Sequence, residues 1–353
     1  MPEQTKRAPA THSDIVALYQ AMLGRDPESD AVFEAWGRHE PVALARALAS
    51  SPEFTRRTRK SPFFHAHSMF DLEQVIRRHA LANPTADPDY FVNFQGVKVP
   101  TRVFARGLSG REGKIDHIPV PSNWHADMAE WGAALRAVEL AKKHFTVIEL
   151  GCGWGCWLNN AGVAARNSGL SVELIGVEGD AGHVRNAEET AAANGFKPTE
   201  LTIYRAIAAA REGTALFERV EQIGEVYGLE PIFNATPEQR QAAIASGKYD
   251  EVTILPLADV IGDRPRIDLL HIDIQGGEAD LIRGTLPLLK ARVAYIVIGT
   301  HSREIEGRLF SDLLAEGWRL EVERPAILGL TRSGPQISVD GVQGWRNMHL
   351  SPE

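Results

Sequence analysis

Apolar residues in this chain change their spacing as the sequence proceeds. Ile15, Leu18, Tyr19, Met22 and Leu23 recur at helical intervals, which predicts an amphipathic helix with Ser13 or Asp14 as its N-cap. Gly24-Arg25-Asp26-Pro27 breaks that pattern. A second helix is expected through Val32, Phe33 and Trp36, and a third over 42–48, ending near Ser50-Ser51-Pro52-Glu53-Phe54. Residues 1–12 read as disordered, so 13–55 forms a helical module of about 45 residues, small for independent stability. In the connector that follows, 56–121, the basic run Arg56, Arg57, Arg59 and Lys60 reads as a solvated face. Residues 90–99 and 102–104 look like short strands. Asp116-His117-Ile118-Pro119-Val120-Pro121 is extended, since both prolines disfavour helix.

From Asn123 the periodicity alternates between strand and helix. Helices are expected at 127–143, 155–168, 181–194 and 278–290, with strands at 146–150, 172–177, 201–207, 267–274 and 293–299. Residues 216–250 read as an insertion with a helix at 237–246. Strands separated by helices of this length predict a mostly parallel sheet with helices on both faces. The tail, 319–350, has short strands around Gly334-Pro335 and Asp340-Gly341 that suit an antiparallel hairpin finishing the sheet. The fold class is therefore α/β, with a small all-α N-terminal domain and the main domain over 122–353.

Composition narrows the class without naming a function. The chain has 353 residues, 44% hydrophobic and 24% charged, with a net charge of −8. That balance disfavours a broad nucleic-acid surface. No apolar run approaches the roughly 18–20 residues of a membrane helix, and residues 1–14 lack the apolar core of a signal peptide. The expectation is a cytoplasmic protein with neither membrane nor nucleic-acid partners. Cys152 and Cys156, the only cysteines, read as small packing residues rather than a disulfide or a zinc pair.

The densest chemistry lies in Val147-Ile148-Glu149-Leu150-Gly151-Cys152-Gly153-Trp154-Gly155. An apolar strand there runs into glycines at alternate positions, where the backbone must pass close to a ligand. A dinucleotide loop would need glycine at 156, which is Cys156, and a P-loop would close with Gly-Lys-Ser/Thr where Trp157 and Leu158 stand. The E-x-G-x-G-x-G pattern instead resembles the S-adenosylmethionine (SAM) loop of class I methyltransferases. By that resemblance Glu149, Gly151, Cys152, Gly153, Trp154 and Gly155 form the cofactor turn. Glu178 lies 23 residues after Gly155 at the next strand end and, with Gly179, is placed at the ribose, where a carboxylate can accept two hydroxyls.

Further on, Ile267-Asp268-Leu269-Leu270-His271-Ile272-Asp273-Ile274-Gln275-Gly276-Gly277-Glu278 resembles the signature of FkbM-type methyltransferases. Arg205-Ala206-Ile207 and Gly213-Thr214-Ala215-Leu216-Phe217 resemble that family's third strand and hairpin. The resemblance spans about 145–318. It implies a Rossmann-like, seven-stranded class I methyltransferase fold, SAM as cofactor, and hydroxyl acceptors on sugars and natural products. Two positions depart from the family, His271 for its lysine and Gln275 for its glutamate, so no mechanism specific to either is carried over. The N-terminal words Leu18-Tyr19, Leu23-Gly24-Arg25-Asp26-Pro27 and Ser50-Ser51-Pro52-Glu53-Phe54 resemble a bacterial helical module often fused to surface-glycan or glycosyl-transfer proteins. That module is read as a docking or homo-oligomer contact.

Methyl transfer to a hydroxyl needs a positioned acceptor and a route for its proton. Strand alternation puts His271, Asp273 and Gln275 on one side of their strand, near its carboxyl end, and His301 ends the neighbouring strand. The expectation is that His301 or His271 is the general base and that Asp273 orients it or contacts the acceptor and cofactor. These three also have the ligand types of a divalent-metal site, a less favoured alternative, as is non-methylating SAM chemistry on the same fold. Trp124, Trp154 and Trp157 are candidates to face the sulfonium or adenine. The lead-in 85–121 and the insertion 216–250 are expected to wall a small-molecule or glycan acceptor.

Overall fold

The computed structural model describes residues 8–51, 53–54, 66–220 and 226–352. The basic run 56–60 lies outside them. The chain divides into two compact units between His65 and Ala66.

The first unit holds helices His12–Leu23, Asp30–Trp36 and Pro41–Ala49. Thr11, not Ser13 or Asp14, is the first N-cap. Asp14 sits at the third helical position and returns a bond to the Thr11 backbone, so the two satisfy each other's end of a capping box. Ile15, Tyr19, Leu23, Leu44 and Leu48 form the core. Arg25 grips Glu53 with a two-pronged bond, Nε–Oε1 2.7 Å and Nη2–Oε2 2.8 Å. This ties the turn after the first helix to the segment that follows the third, which accounts for both residues of the motif.

The second unit is built on a sheet whose strands run β1 (His67–Ser68), β12 (Trp318–Arg324), β15 (Gly341–Asn347), β11 (Tyr295–Thr300), β10 (Leu269–Ile272), β4 (His144–Leu150), β5 (Ser171–Glu178) and β6 (Leu201–Arg205). From β11 to β6 all neighbours are parallel, while β15 is antiparallel to β11 and β12. Seven strands match the expected sheet; β1 adds an eighth at the edge. Two short antiparallel pairs lie apart from it, β2 (Phe91–Val92) with β3 (Lys98–Val99), and β13 (Ile327–Thr331) with β14 (Gly334–Val339). A further small sheet orders β7 (Ile207–Ala209), β9 (Tyr249–Pro256) and β8 (Gly213–Glu218).

Alternation along β4 explains the two cores. Phe145 and Val147 join the cluster around Trp131, whereas Ile148 and Leu150 join that around Ile282 and Trp345. Helices Met128–Leu140 and Cys156–Asn167 contribute buried residues to the first cluster, and helices Leu257–Ile261, Glu278–Arg292 and Arg303–Ala315 to the second. Leu72, Val75, Phe91 and Phe94, from the segment read as a connector, lie in the first.

Three elements differ from expectation. Residues 101–104 are a 3₁₀ helix, closed by Val103 N–H to the Pro100 carbonyl at 3.0 Å. The third strand is split: Ala206 N–H bonds the Glu178 carbonyl, and from Ile207 the chain pairs with β9 instead. The expected terminal hairpin is two structures, because β13 and β14 pair only with each other while β15 enters the sheet between β11 and β12.

Trp345 is fully buried on β15, edge-on to Phe310 at 5.7 Å. Trp345→Ala should cost about 3–5 kcal/mol, read as a lowered denaturant midpoint with unchanged slope.

Candidate active site

The glycine turn joins β4 to helix Cys156–Asn167, and Gly151, Gly153 and Gly155 all have positive φ, 74°, 51° and 75°. At Gly151 the need is absolute. A Cβ there would lie 1.9 Å from the Asp273 carbonyl oxygen, so the turn is pressed against the end of β10. Glu149, buried, fixes the other side. Its Oε1 accepts from Trp157 N–H at 3.1 Å and its Oε2 from Leu158 N–H at 2.9 Å, satisfying two of the orphan donors at that helix start. Burial pushes its pKa up to about 7 against the pull of His271 and these two donors.

Glu178 ends β5, buried. Its Oε2 accepts from Gly153 N–H and its Oε1 from Asp180 N–H, both at 2.8 Å. One carboxylate thus braces the glycine turn and the start of helix Ala181–Ala193, whose N-cap is Asp180. Burial raises its pKa.

A cavity with about 710 Å³ of empty space, its open mouth included, lies over this turn. Gly151, Gly153, Glu178, Gly179, Asp273 and Gln275 are among its walls. The insertion supplies Phe217, Val226, Tyr227, Gly228, Leu229 and Pro231. The Tyr227 ring lies over Gly153 and beside His183, and its hydroxyl bonds the Val103 carbonyl.

Beside Asp273, His301 stands between two carboxylates. Its Nε2 is 3.2 Å from Asp273 Oδ1 and its Nδ1 is 2.8 Å from Glu278 Oε1. Burial opposes charge on the ring, but the two carboxylates prevail and lift its pKa to about 10. Burial likewise opposes charge on Asp273, and the His301 bond holds its carboxyl below the usual value.

The comparisons agree on a family. The family model of the methyltransferase FkbM domain matches residues 155–317. A protein of Jannaschia sp. (strain CCS1), bearing the name methyltransferase with no acceptor specified, is 46% identical over 272 residues, 77% of this chain and 97% of that relative. This chain belongs to the FkbM methyltransferase family. The methyltransferase family implies SAM as cofactor, and the residues fit it: a turn that lines the cavity with Gly151 and Gly153, then an acidic strand end, Glu178, lining the same cavity. Among solved structures, the ribosomal protein L11 methylase of Lactobacillus delbrueckii subsp. bulgaricus covers 67% of this chain and 87% of its own, at 15% identity and TM-score 0.33. The C-terminal domain of precorrin-6Y C5,15-methyltransferase from Rhodobacter capsulatus covers 63% and 89%, at 14% identity and TM-score 0.34.

In this FkbM methyltransferase the predicted residues separate into three groups. Gly151, Gly153, Glu178, Gly179 and Asp273 line the cavity. Glu149, Cys152, Trp154 and Gly155 do not; they build the turn from behind, and Cys152 packs its sulfur against Gly176. Trp154 and Trp157 are buried in the core, with Trp124 stacked on Trp154 at 5.9 Å, so none of the three faces the cavity. His271 does not join His301: its Nε2 bonds Glu130 Oε1 at 3.0 Å and its ring lies on Trp157. It is on the core face of β10, whereas Asp273 is one residue past the strand's end. The group that gathers His301 with two acids contains Glu278 instead. Sequence reading missed Glu278, Asp180 and Tyr227. Only Asp180 carried a local signal, an Asp placed to cap the next helix.

His125 lies edge-on to Trp124, Trp154 and Trp157, with Cys156 Sγ 3.1 Å from its Nε2. Burial depresses its pKa to about 4. Below about 6.5 the unfolded chain takes up a proton there that the folded chain refuses, so stability falls as pH drops from 6.5 to 4. Melting temperatures across that window should show the slope, and His125→Gln should flatten it. Gly151→Ala should abolish SAM binding in calorimetry and lower the melting temperature. Gly169→Ala, also at positive φ but with open space around it, should cost only about 1–2 kcal/mol and bind SAM normally.

Proposed function

We propose that this methyltransferase acts on a hydroxyl of a sugar or natural-product scaffold. The observation that supports this most is that Glu178 and Asp273 line one cavity, with His301 bonded to Asp273. SAM, when bound, supplies a methyl group on an electrophilic sulfonium. Each Glu178 oxygen accepts one backbone N–H and keeps a lone pair for a ribose hydroxyl. Gly151 and Gly153 let the backbone approach the cofactor closely.

Asp273 is the group that meets the acceptor, since its side chain remains 43% exposed. His301, with a carboxylate at each ring nitrogen, holds Asp273 in place and has no free nitrogen for a substrate proton in this arrangement. His271, buried against Glu130 and Trp157, supports the turn from the core side. The lead-in carbonyl of Val103 and the insertion's Tyr227 meet above the cavity and form a wall shared by cofactor and acceptor.

Glu178→Ala should weaken SAM binding at least tenfold in calorimetry; an unchanged affinity removes it from the ribose. His301→Ala should retain SAM affinity and lose turnover with a panel of sugar and polyketide hydroxyl acceptors. Equal turnover in that variant would take the acceptor end of the site elsewhere.

A further inference from the structure

Asp273, Glu278 and His301 offer ligand atoms within 4.8 Å of one another. Their hydrogen bonds decide which atoms a cation can reach. Glu278 is fully buried, and its Oε1 accepts from Ile274 N–H at 3.3 Å and Gly276 N–H at 3.0 Å as well as facing His301 Nδ1. An oxygen already serving as acceptor to two amides requires a donor from the ring, so Nδ1 carries hydrogen. Nε2 faces Asp273 Oδ1, which also accepts from Gln275 Nε2 at 2.9 Å; with a proton on Nε2 the pair is a hydrogen bond, and without it two lone pairs converge. A proton or a metal ion fits the place between them, and a metal ion takes it by displacing the Nε2 proton.

We infer that Asp273 and His301 Nε2 are the protein ligands of a divalent cation, with Glu278 and Gln275 holding them in position and water and the acceptor's oxygens completing the shell. The inference rests on the methyltransferase reading of the same cavity. The 3.2 Å separation is longer than the roughly 2.7–2.9 Å of a charge-assisted N–H···O bond. It fits two ligands each about 2.0–2.2 Å from one ion, which lie about 3.0–3.5 Å apart between octahedral and tetrahedral geometry. The Glu278–His301 bond is the carboxylate–histidine support found behind metal-bound imidazoles.

A second observation is independent of that distance. Glu278 Oε2 is buried without a hydrogen-bond partner, leaving negative charge in a place that water does not reach. Gln275 is one of two non-glycine residues with positive φ among those described, 57°, a strained backbone that presents its amide to Asp273. One imidazole and one carboxylate suit Mn²⁺, Fe²⁺ or Zn²⁺ better than Ca²⁺. An ion there would lower the pKa of a coordinated acceptor hydroxyl, whose proton leaves to bulk water. His271, bound to Glu130, is outside the set.

The test uses the full chain, stripped with chelator and titrated with Mn²⁺ in the absence of SAM, with free Mn²⁺ followed by electron paramagnetic resonance. One Mn²⁺ per chain is expected. Asp273→Asn and His301→Gln should each weaken it at least tenfold, Glu278→Gln about 10–100-fold, and His271→Gln not at all. Circular dichroism of each variant controls for folding. No saturable binding by the wild type, or equal affinity in folded Asp273→Asn and His301→Gln, overturns the site. SAM calorimetry on the same stripped protein separates the two readings: SAM binding without Mn²⁺ binding removes the ion alone, and loss of both removes the cofactor reading beneath it.

Discussion

The carbonyl oxygen of Asp273 fills the space where residue 151 would otherwise carry a side chain. That contact presses the turn after β4 against the residue just past β10, two strand ends that are neighbours in a parallel sheet. The glycine turn and the Asp273 carboxylate are therefore a single assembly. Neither can be displaced without the other, and Glu149 and Glu178 brace it from the core and from β5.

Carboxylates do an unusual share of this bracing. Glu149 receives two amides at one helix start, Glu178 links the turn to the next, and Glu278 gathers two amides and a histidine at a third. All three are buried. In each case the negative charge meets backbone N–H groups near a helix N-terminus, where the helix dipole favours it. The stiffness this gives suits a site that must hold its groups in place before reactants arrive.

Much of this was legible in the chain because its signals are local. The strand-glycine turn, Glu178 at the following strand end and the βα alternation each occupy a few consecutive residues, and the cavity assembles from them. What failed depended on facing or on register. Trp154 and Trp157 look like ligand-facing aromatics until the strand shows which side is core. His271 and Asp273 are two residues apart, yet the strand ends between them, so one packs on Trp157 and the other reaches the cavity. Glu278 reads as an ordinary acidic helix start until β11 sets His301 beside it. Residues 102–104 had strand-like composition, but Pro100 and the i-to-i+3 bond at Val103 wind them instead.

The position of β15 bears on how the molecule is made. Residues 341–347 follow both β11 and β12 in the sequence, and they pair with β11 on one side and β12 on the other. Until they emerge during synthesis, both of those strands present open edges. The parallel half, β6 through β11, can assemble earlier around its helices, but the sheet remains two pieces. Joining them depends on contacts distant in sequence, the slow kind to form. A ribosome-bound chain lacking residues beyond 340 is thus an intermediate with the cofactor turn already encoded and the sheet still divided.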